Sequence, residues 1–93
     1  MAKLPKNLSQ HDIKLLRIFQ TVVDCGGFTA AETELNIGRS TISIYIANLE
    51  QRLKLSLCQR GRQGFSLTRE GRVVYNAVVQ LEQAHQQFSQ LVA

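Results

Sequence analysis

The chain has 93 residues, 44% of them hydrophobic, and a net charge of +4. That is enough apolar material for one small folded domain and too much for a disordered tail. Its 11 basic against 7 acidic side chains favour a nucleic acid or an anionic surface; no apolar run is long enough for a bilayer and no signal-peptide pattern opens the chain, so no membrane contact and a cytoplasmic location are expected.

Residues 1–8 are polar and basic, hold the only proline, Pro5, and read as a loose arm. Ser9 caps a first helix, with Asp12 in its first turn where the helix dipole favours negative charge. Ile13, Leu16, Phe19 and Val23 recur at steps of three and four, which predicts one buried face. Gly26 and Gly27 stop the helix. Thr29 is expected to open the second helix, because Thr29-Ala30-Ala31-Glu32 matches the capping-box pattern. Leu35 ends it, Asn36-Ile37-Gly38 makes a turn, and Gly38 caps the third helix without a side-chain oxygen to offer.

In the third helix Ile42, Ile46, Leu49 and Leu53 form one apolar stripe. Ser40, Thr41, Ile44, Ala47, Asn48 and Gln51 fall on the opposite side, a small and polar face free of acid until Glu50, nearer the buried flank. Residues 28–53 therefore read as a helix-turn-helix, whose second helix suits the major groove of DNA. Ile44 lies nearly opposite the stripe. It is either a contact for a thymine methyl or an isolated exposed apolar residue, and the sequence leaves both open.

Residues 57–60 and 65–68 read as two strands of a small hairpin joined by Gly61-Arg62-Gln63-Gly64. Arg52, Lys54, Arg60, Arg62, Arg69 and Arg72 cluster here with a single acid, Glu70, so basic side chains at the hairpin tip are placed to reach phosphates. Thr68 then caps a long final helix, in which Gly71 suggests a close backbone approach. Val74, Leu81 and Phe88 are spaced by seven, as are Ala77, Ala84 and Leu91, and Val78 and Val79 widen the seam. A helix of roughly 24 residues spans about 36 Å, more than so small a domain needs. It is read as a homodimerisation helix; the other reading folds it back on its own domain.

Cys25 and Cys58, 33 residues apart, read as reduced thiols in or near the core, and with His11 and His85 they show no metal-ligand spacing. No metal or cofactor is expected. Without a Gly-rich phosphate loop, a nucleophile–base constellation or clustered carboxylates, no enzymatic activity is expected either.

Phe28-Thr29-x-Ala31 with Leu35, then Ser43, then Leu49-Glu50 with Leu53, then Leu57-Cys58-Gln59-Arg60 and Leu67-Thr68-Arg69-Glu70-Gly71 together resemble the N-terminal DNA-binding domain of LysR-type transcriptional regulators. The resemblance runs from about residue 8 to the end. It implies a mainly α fold: a winged helix-turn-helix of three helices and a β-hairpin wing over residues 1–67, then a linker helix over 68–93 that pairs antiparallel with its copy. It further implies that Thr29 holds a phosphate, that Arg39, Ser40 and Ser43 lie near bases or phosphates, and that Arg60 serves the wing. Family members continue into an effector-binding domain, so the chain is expected to be part of a longer regulator whose small-molecule inducer binds elsewhere.

Several positions depart from the family pattern. Gly38 stands where a capping serine is common and Arg39-Ser40 where Gln-Pro is frequent. Ile44 replaces a frequent arginine, Glu32 an alanine, Lys54 a glycine and Cys58 a phenylalanine, while Arg62 is offset by one from a usual second arginine. Glu32 is expected to loosen the packing of the second helix on the third. The functional expectation is sequence-specific binding of double-stranded DNA by a homodimer at an inverted repeat, to regulate transcription. Thr29, Arg39, Ser40, Thr41, Ser43, Ile44, Asn48, Arg60 and Arg62 face the DNA, and Val74, Ala77, Val78, Leu81, Ala84, Phe88 and Leu91 form the dimer seam. The alternative is a helical interaction module that dimerises through the last helix and binds no DNA.

Overall fold

The structure, a computed structural model, describes residues 8–61 and 64–92. Helices α1 (Gln10–Cys25), α2 (Phe28–Leu35) and α3 (Arg39–Leu53) precede a hairpin of β1 (Cys58–Gly61) and β2 (Gly64–Leu67), and α4 (Arg69–Val92) closes the order. The hairpin at 57–60 and 65–68 is thus present, one residue out of the expected frame.

Ser9 and Asp12 form a reciprocal capping box: the Asp12 amide donates to Ser9 Oγ at 3.1 Å and the Ser9 amide to Asp12 Oδ2 at 3.0 Å. Gly26 ends α1 in the left-handed conformation at φ 89°, and its amide donates to the carbonyls of Val22 and Val23. The buried side of α1 is broader than the expected stripe. Leu15, Leu16, Ile18, Phe19 and Val22 are buried, whereas Ile13 and Val23 are only half-buried. The reason is tertiary: α1 is covered by α2, α3 and α4 together, so no single narrow stripe describes it.

The α2 start also differs. The helix begins at Phe28 with Gly27 as its cap and no side-chain capping bond, so Thr29 lies within the first turn and makes no box with Glu32. Burial of the Phe28 ring in the common core accounts for the earlier start. In α3 the stripe Ile42, Ile46, Leu49 and Leu53 is buried as expected. Lys54 ends α3 at φ 56°, a left-handed conformation that glycine adopts without the steric cost of a Cβ.

The hairpin register pairs Cys58 with Leu67, Gln59 with Ser66, Arg60 with Phe65 and Gly61 with Gly64. Its base is fixed by Glu50, whose carboxylate accepts from the Leu57 amide at 2.7 Å, and by Thr68, whose amide donates to the Leu57 carbonyl at 3.0 Å. Thr68 also starts α4, its hydroxyl accepting from the Gly71 amide at 2.8 Å and donating to the Ser56 carbonyl at 2.5 Å. At Gly71 the helix backbone presses on the wing's base: a Cβ built there would lie 1.8 Å from the Leu57 carbonyl oxygen.

Val74 and Val78 on α4 join the core shared by all the helices. Beyond them α4 is tied to α1 by Tyr75, whose hydroxyl donates to Asp24, and by Arg17 Nε, 2.7 Å from Glu82 Oε1. A further tie links α1 to α3: the Arg52 guanidinium bonds the buried Asp12 carboxylate. That bond first, and the Ser9 amide second, hold the Asp12 carboxyl down to about 2 from its ordinary 3.8. A depressed folded-state value stabilises the protein above the unfolded value of 3.8, and this contribution is lost as pH falls through about 2. Melting temperature should therefore drop more steeply over that window in the wild type than in Asp12→Asn. Parallel curves for the two proteins would mean the pair with Arg52 contributes nothing to folding.

Candidate nucleic-acid interface

The helix-turn-helix leaves one face of α3 open. Arg39, Ser40, Thr41, Ile44, Ala47, Asn48 and Gln51 are all exposed, with Ile44 59% accessible, and Ser43 is half-buried at the edge. The single acid of α3, Glu50, is turned away from this face to hold the wing's base. Thr29 is exposed in the first turn of α2.

Besides the Glu50 bonds at its base, the wing reaches α3 through Arg60. Arg60 lies over the Phe28 ring, 4.2 Å from its centroid, and its Nη1 donates to Ser43 Oγ at 2.9 Å. Phe28 in turn meets Phe65 of β2 edge-on, with ring centroids 6.0 Å apart. Phe28 of α2 thus meets both strands of the wing, and Arg60 rests on its ring while its guanidinium reaches α3. Ser43 is engaged by Arg60, which its position on the helix wheel alone did not reveal. Arg62 lies outside the described residues.

A second unforeseen contact lies at the start of α3. Gly38 supplies no side-chain cap, and Glu32 Oε1 accepts from the Arg39 amide at 2.6 Å instead. Glu32 thus links α2 to α3 rather than loosening them. The signal in the sequence was the uncapped glycine itself, which required an acceptor from elsewhere. Lys14 of α1 lies 4.9 Å from the Tyr45 ring centroid on α3, a contact likewise unmarked in the sequence.

The expected dimer seam divides in two. Val74 and Val78 are 9% and 3% accessible and serve the chain's own core, a correction to their place in the seam. Ala77, Leu81, Ala84, Phe88 and Leu91 are exposed, with Phe88 64% and Leu91 83% accessible. The split follows position along α4: Val74 and Val78 pack in the core and Glu82 still reaches Arg17 of α1, whereas Phe88 and Leu91 beyond it are exposed.

Cys25 and Cys58 are half-buried free thiols. Burial first, and the Glu50 charge second, push the Cys58 thiol up to about 11, so it stays protonated and unreactive near neutral pH. Among the described residues no group of three or more His, Cys, Asp or Glu side chains could hold a metal ion, and no helix is long and apolar enough to cross a membrane.

Residues 13–72 match the bacterial regulatory helix-turn-helix protein family, lysR family. The chain belongs to the LysR family. Over 70 residues it is 59% identical to the HTH-type transcriptional activator BauR of Pseudomonas aeruginosa, covering 75% of this chain and 23% of BauR. It is 36% identical over 63 residues to the HTH-type transcriptional activator AaeR of Escherichia coli, covering 68% of this chain and 20% of AaeR. The chain thus spans about a quarter or less of the length of these LysR relatives. Among solved structures, the BenM DNA-binding domain in complex with catB site 1 DNA superposes with a TM-score of 0.80 at 31% identity, covering 86% of this chain and 90% of that one. CbnR, a LysR family transcriptional regulator, superposes with a TM-score of 0.76 at 26% identity, covering 87% of this chain and 28% of CbnR. The helix-turn-helix, hairpin and long helix are the winged LysR DNA-binding architecture.

Proposed function

We propose that this chain reads double-stranded DNA as a homodimer at an inverted-repeat operator, in the cytoplasm, as the DNA-binding part of a transcriptional regulator without enzymatic activity. The observation that carries the reading is the open, acid-free face of α3 flanked by an Arg60 whose guanidinium is held by Phe28 and Ser43. In this reading α3 enters the major groove, with Arg39, Ser40, Thr41, Ile44 and Asn48 facing base edges. Arg39 has the geometry to bridge guanine N7 and O6, and Ile44 suits a thymine methyl. Thr29 meets a phosphate, and Arg60 and Arg62 carry the wing to the backbone or minor groove. Residues 1–67 are the reader and 68–93 the linker helix; an inducer acts through a separate domain.

The experiment is selection of bound duplexes from a random pool, with affinity then read by fluorescence anisotropy at two salt concentrations. Enrichment of a palindrome, with affinity falling steeply as salt rises, is the expected result. An absence of binding at low salt overturns the reading in favour of a helical interaction module.

The dimer is supported by the exposed apolar positions on α4. Phe88→Glu places a charge in that seam without touching the domain core, so far-UV circular dichroism should be unchanged. Because fully burying one such side chain is worth about 1.5–3 kcal/mol, the dimer dissociation constant should rise by about tenfold or more. Sedimentation showing an unweakened dimer would remove Phe88 from the interface.

A further inference from the structure

Gly38 opens the recognition helix with no side-chain oxygen, so the first amides of α3 need acceptors from another source. A free helix N-terminus, with its exposed N–H groups and the positive end of its dipole, attracts anions, and on a DNA surface the available anion is a phosphate. Here that end already has an occupant from the same chain. Glu32, half-buried on α2, accepts from the Arg39 amide at 2.6 Å. The bond is to the Arg39 backbone, and among the described residues the two salt bridges are Arg17 with Glu82 and Arg52 with Asp12. The carboxylate therefore holds the peptide of Arg39 while its guanidinium stays exposed and uncommitted.

We propose that Glu32 is a specificity-determining residue: its carboxylate takes the leading amide of α3, keeps DNA phosphate away from that end of the helix, and leaves the Arg39 side chain to choose between bases. Two anions at one helix end repel each other, and the internal one is held by a short hydrogen bond and by packing between α2 and α3. A phosphate seated on the Arg39 amide carries no sequence information, since phosphates position a protein without specifying sequence, and it would hold α3 away from the register in which Arg39 reaches a base. On the operator the base contacts already fix that register, so excluding the phosphate lowers affinity for arbitrary DNA more than for the operator. Glu32 acts through the backbone of Arg39 and through its own charge, and it touches no base.

This inference rests on the DNA-binding reading. The test compares wild type, Glu32→Gln and Glu32→Ala, as the 93-residue chain, on two fluorescent duplexes: one enriched by selection on the wild type and one of scrambled sequence. Glutamine keeps an acceptor for the Arg39 amide and removes the charge, so its melting temperature should match wild type. Its affinity for the scrambled duplex should tighten by about three- to tenfold, and its log–log salt dependence should steepen by about one unit, the signature of one added phosphate contact. The ratio of operator to scrambled affinity should fall. Glu32→Ala should show the same loss of ratio together with a lower melting temperature. If Glu32→Gln keeps the wild-type ratio and salt slope, the carboxylate is only a structural cap and the proposal fails while the DNA-binding reading stands. If the wild type binds neither duplex, both fail.

Discussion

Gly71→Ala is expected to lower the melting temperature by about 12–24 °C. Helix propensity alone demands the opposite sign, because alanine is favoured over glycine by up to about 1 kcal/mol inside a helix. The contact decides: the new Cβ would lie 1.8 Å from the Leu57 carbonyl oxygen and 2.8 Å from its carbon. Neither atom belongs to a side chain that can rotate away, and Leu57 is held by Glu50 on one side and Thr68 on the other. Overpacking of this kind costs about 3 kcal/mol, and each kcal/mol moves a domain of this size by about 4–8 °C. Thermal unfolding followed by circular dichroism measures it. A melting temperature equal to or above the wild type would mean that α4 and the wing's base separate readily and that Gly71 serves no packing role.

Phe28 carries the second large effect because stability and DNA affinity meet on it. The ring is 4% accessible, packs on Phe65 and supports Arg60. Phe28→Ala should cost about 3–5 kcal/mol, a large share of the total stability of such a domain. Phe28→Leu separates the two roles. It keeps most of the buried volume, so the fold should survive with a loss of about 1.5 kcal/mol or less, yet it offers no ring face to the guanidinium. Losing a cation–π contact of about 1 kcal/mol should free Arg60 to move and weaken operator binding by about fivefold. An Arg60→Ala background checks the route: the leucine substitution should then have little further effect on affinity. A full additional loss in that background would show that Phe28 acts on DNA binding by some path other than Arg60.

The elements most legible in the sequence were those whose contacts are local. The stripe Ile42, Ile46, Leu49 and Leu53 follows from helical spacing and is buried as read. The Ser9 cap, the stop at Gly26 and the cap at Thr68 follow from single residues whose side chains or backbone freedom suit those positions. The exposed face of α3 was legible for the same reason, since a helix that buries one stripe must present the opposite one. The hairpin was recognised but framed one residue early at its start and ended one late, because Thr68 was free in sequence to be either strand or cap. Its bond to Gly71 selects the cap.

Expectations missed where several elements meet. On α1 the apolar residues are numerous enough to fit more than one stripe, and only the positions of α2, α3 and α4 choose Leu15, Ile18 and Val22 over Ile13. On α4 the heptad pattern treats Val74, Val78, Leu81 and Phe88 as one seam, but the seam passes from the domain's own core to open surface along its length. The pairs that tie the elements together are separated by 7 residues for Glu32 and Arg39, 17 for Arg60 and Ser43, and 40 for Arg52 and Asp12. Periodicity fixes which face of an element is apolar and which residues can cap it, because those depend on backbone geometry within a few turns. By itself, then, the sequence determined the helix-turn-helix, the wing, the long helix and the face of α3 left open. Which side chain caps α3, what holds Arg60 and where the α4 seam becomes exposed were decided only by the tertiary structure, because each depends on the distance between elements that no local spacing encodes.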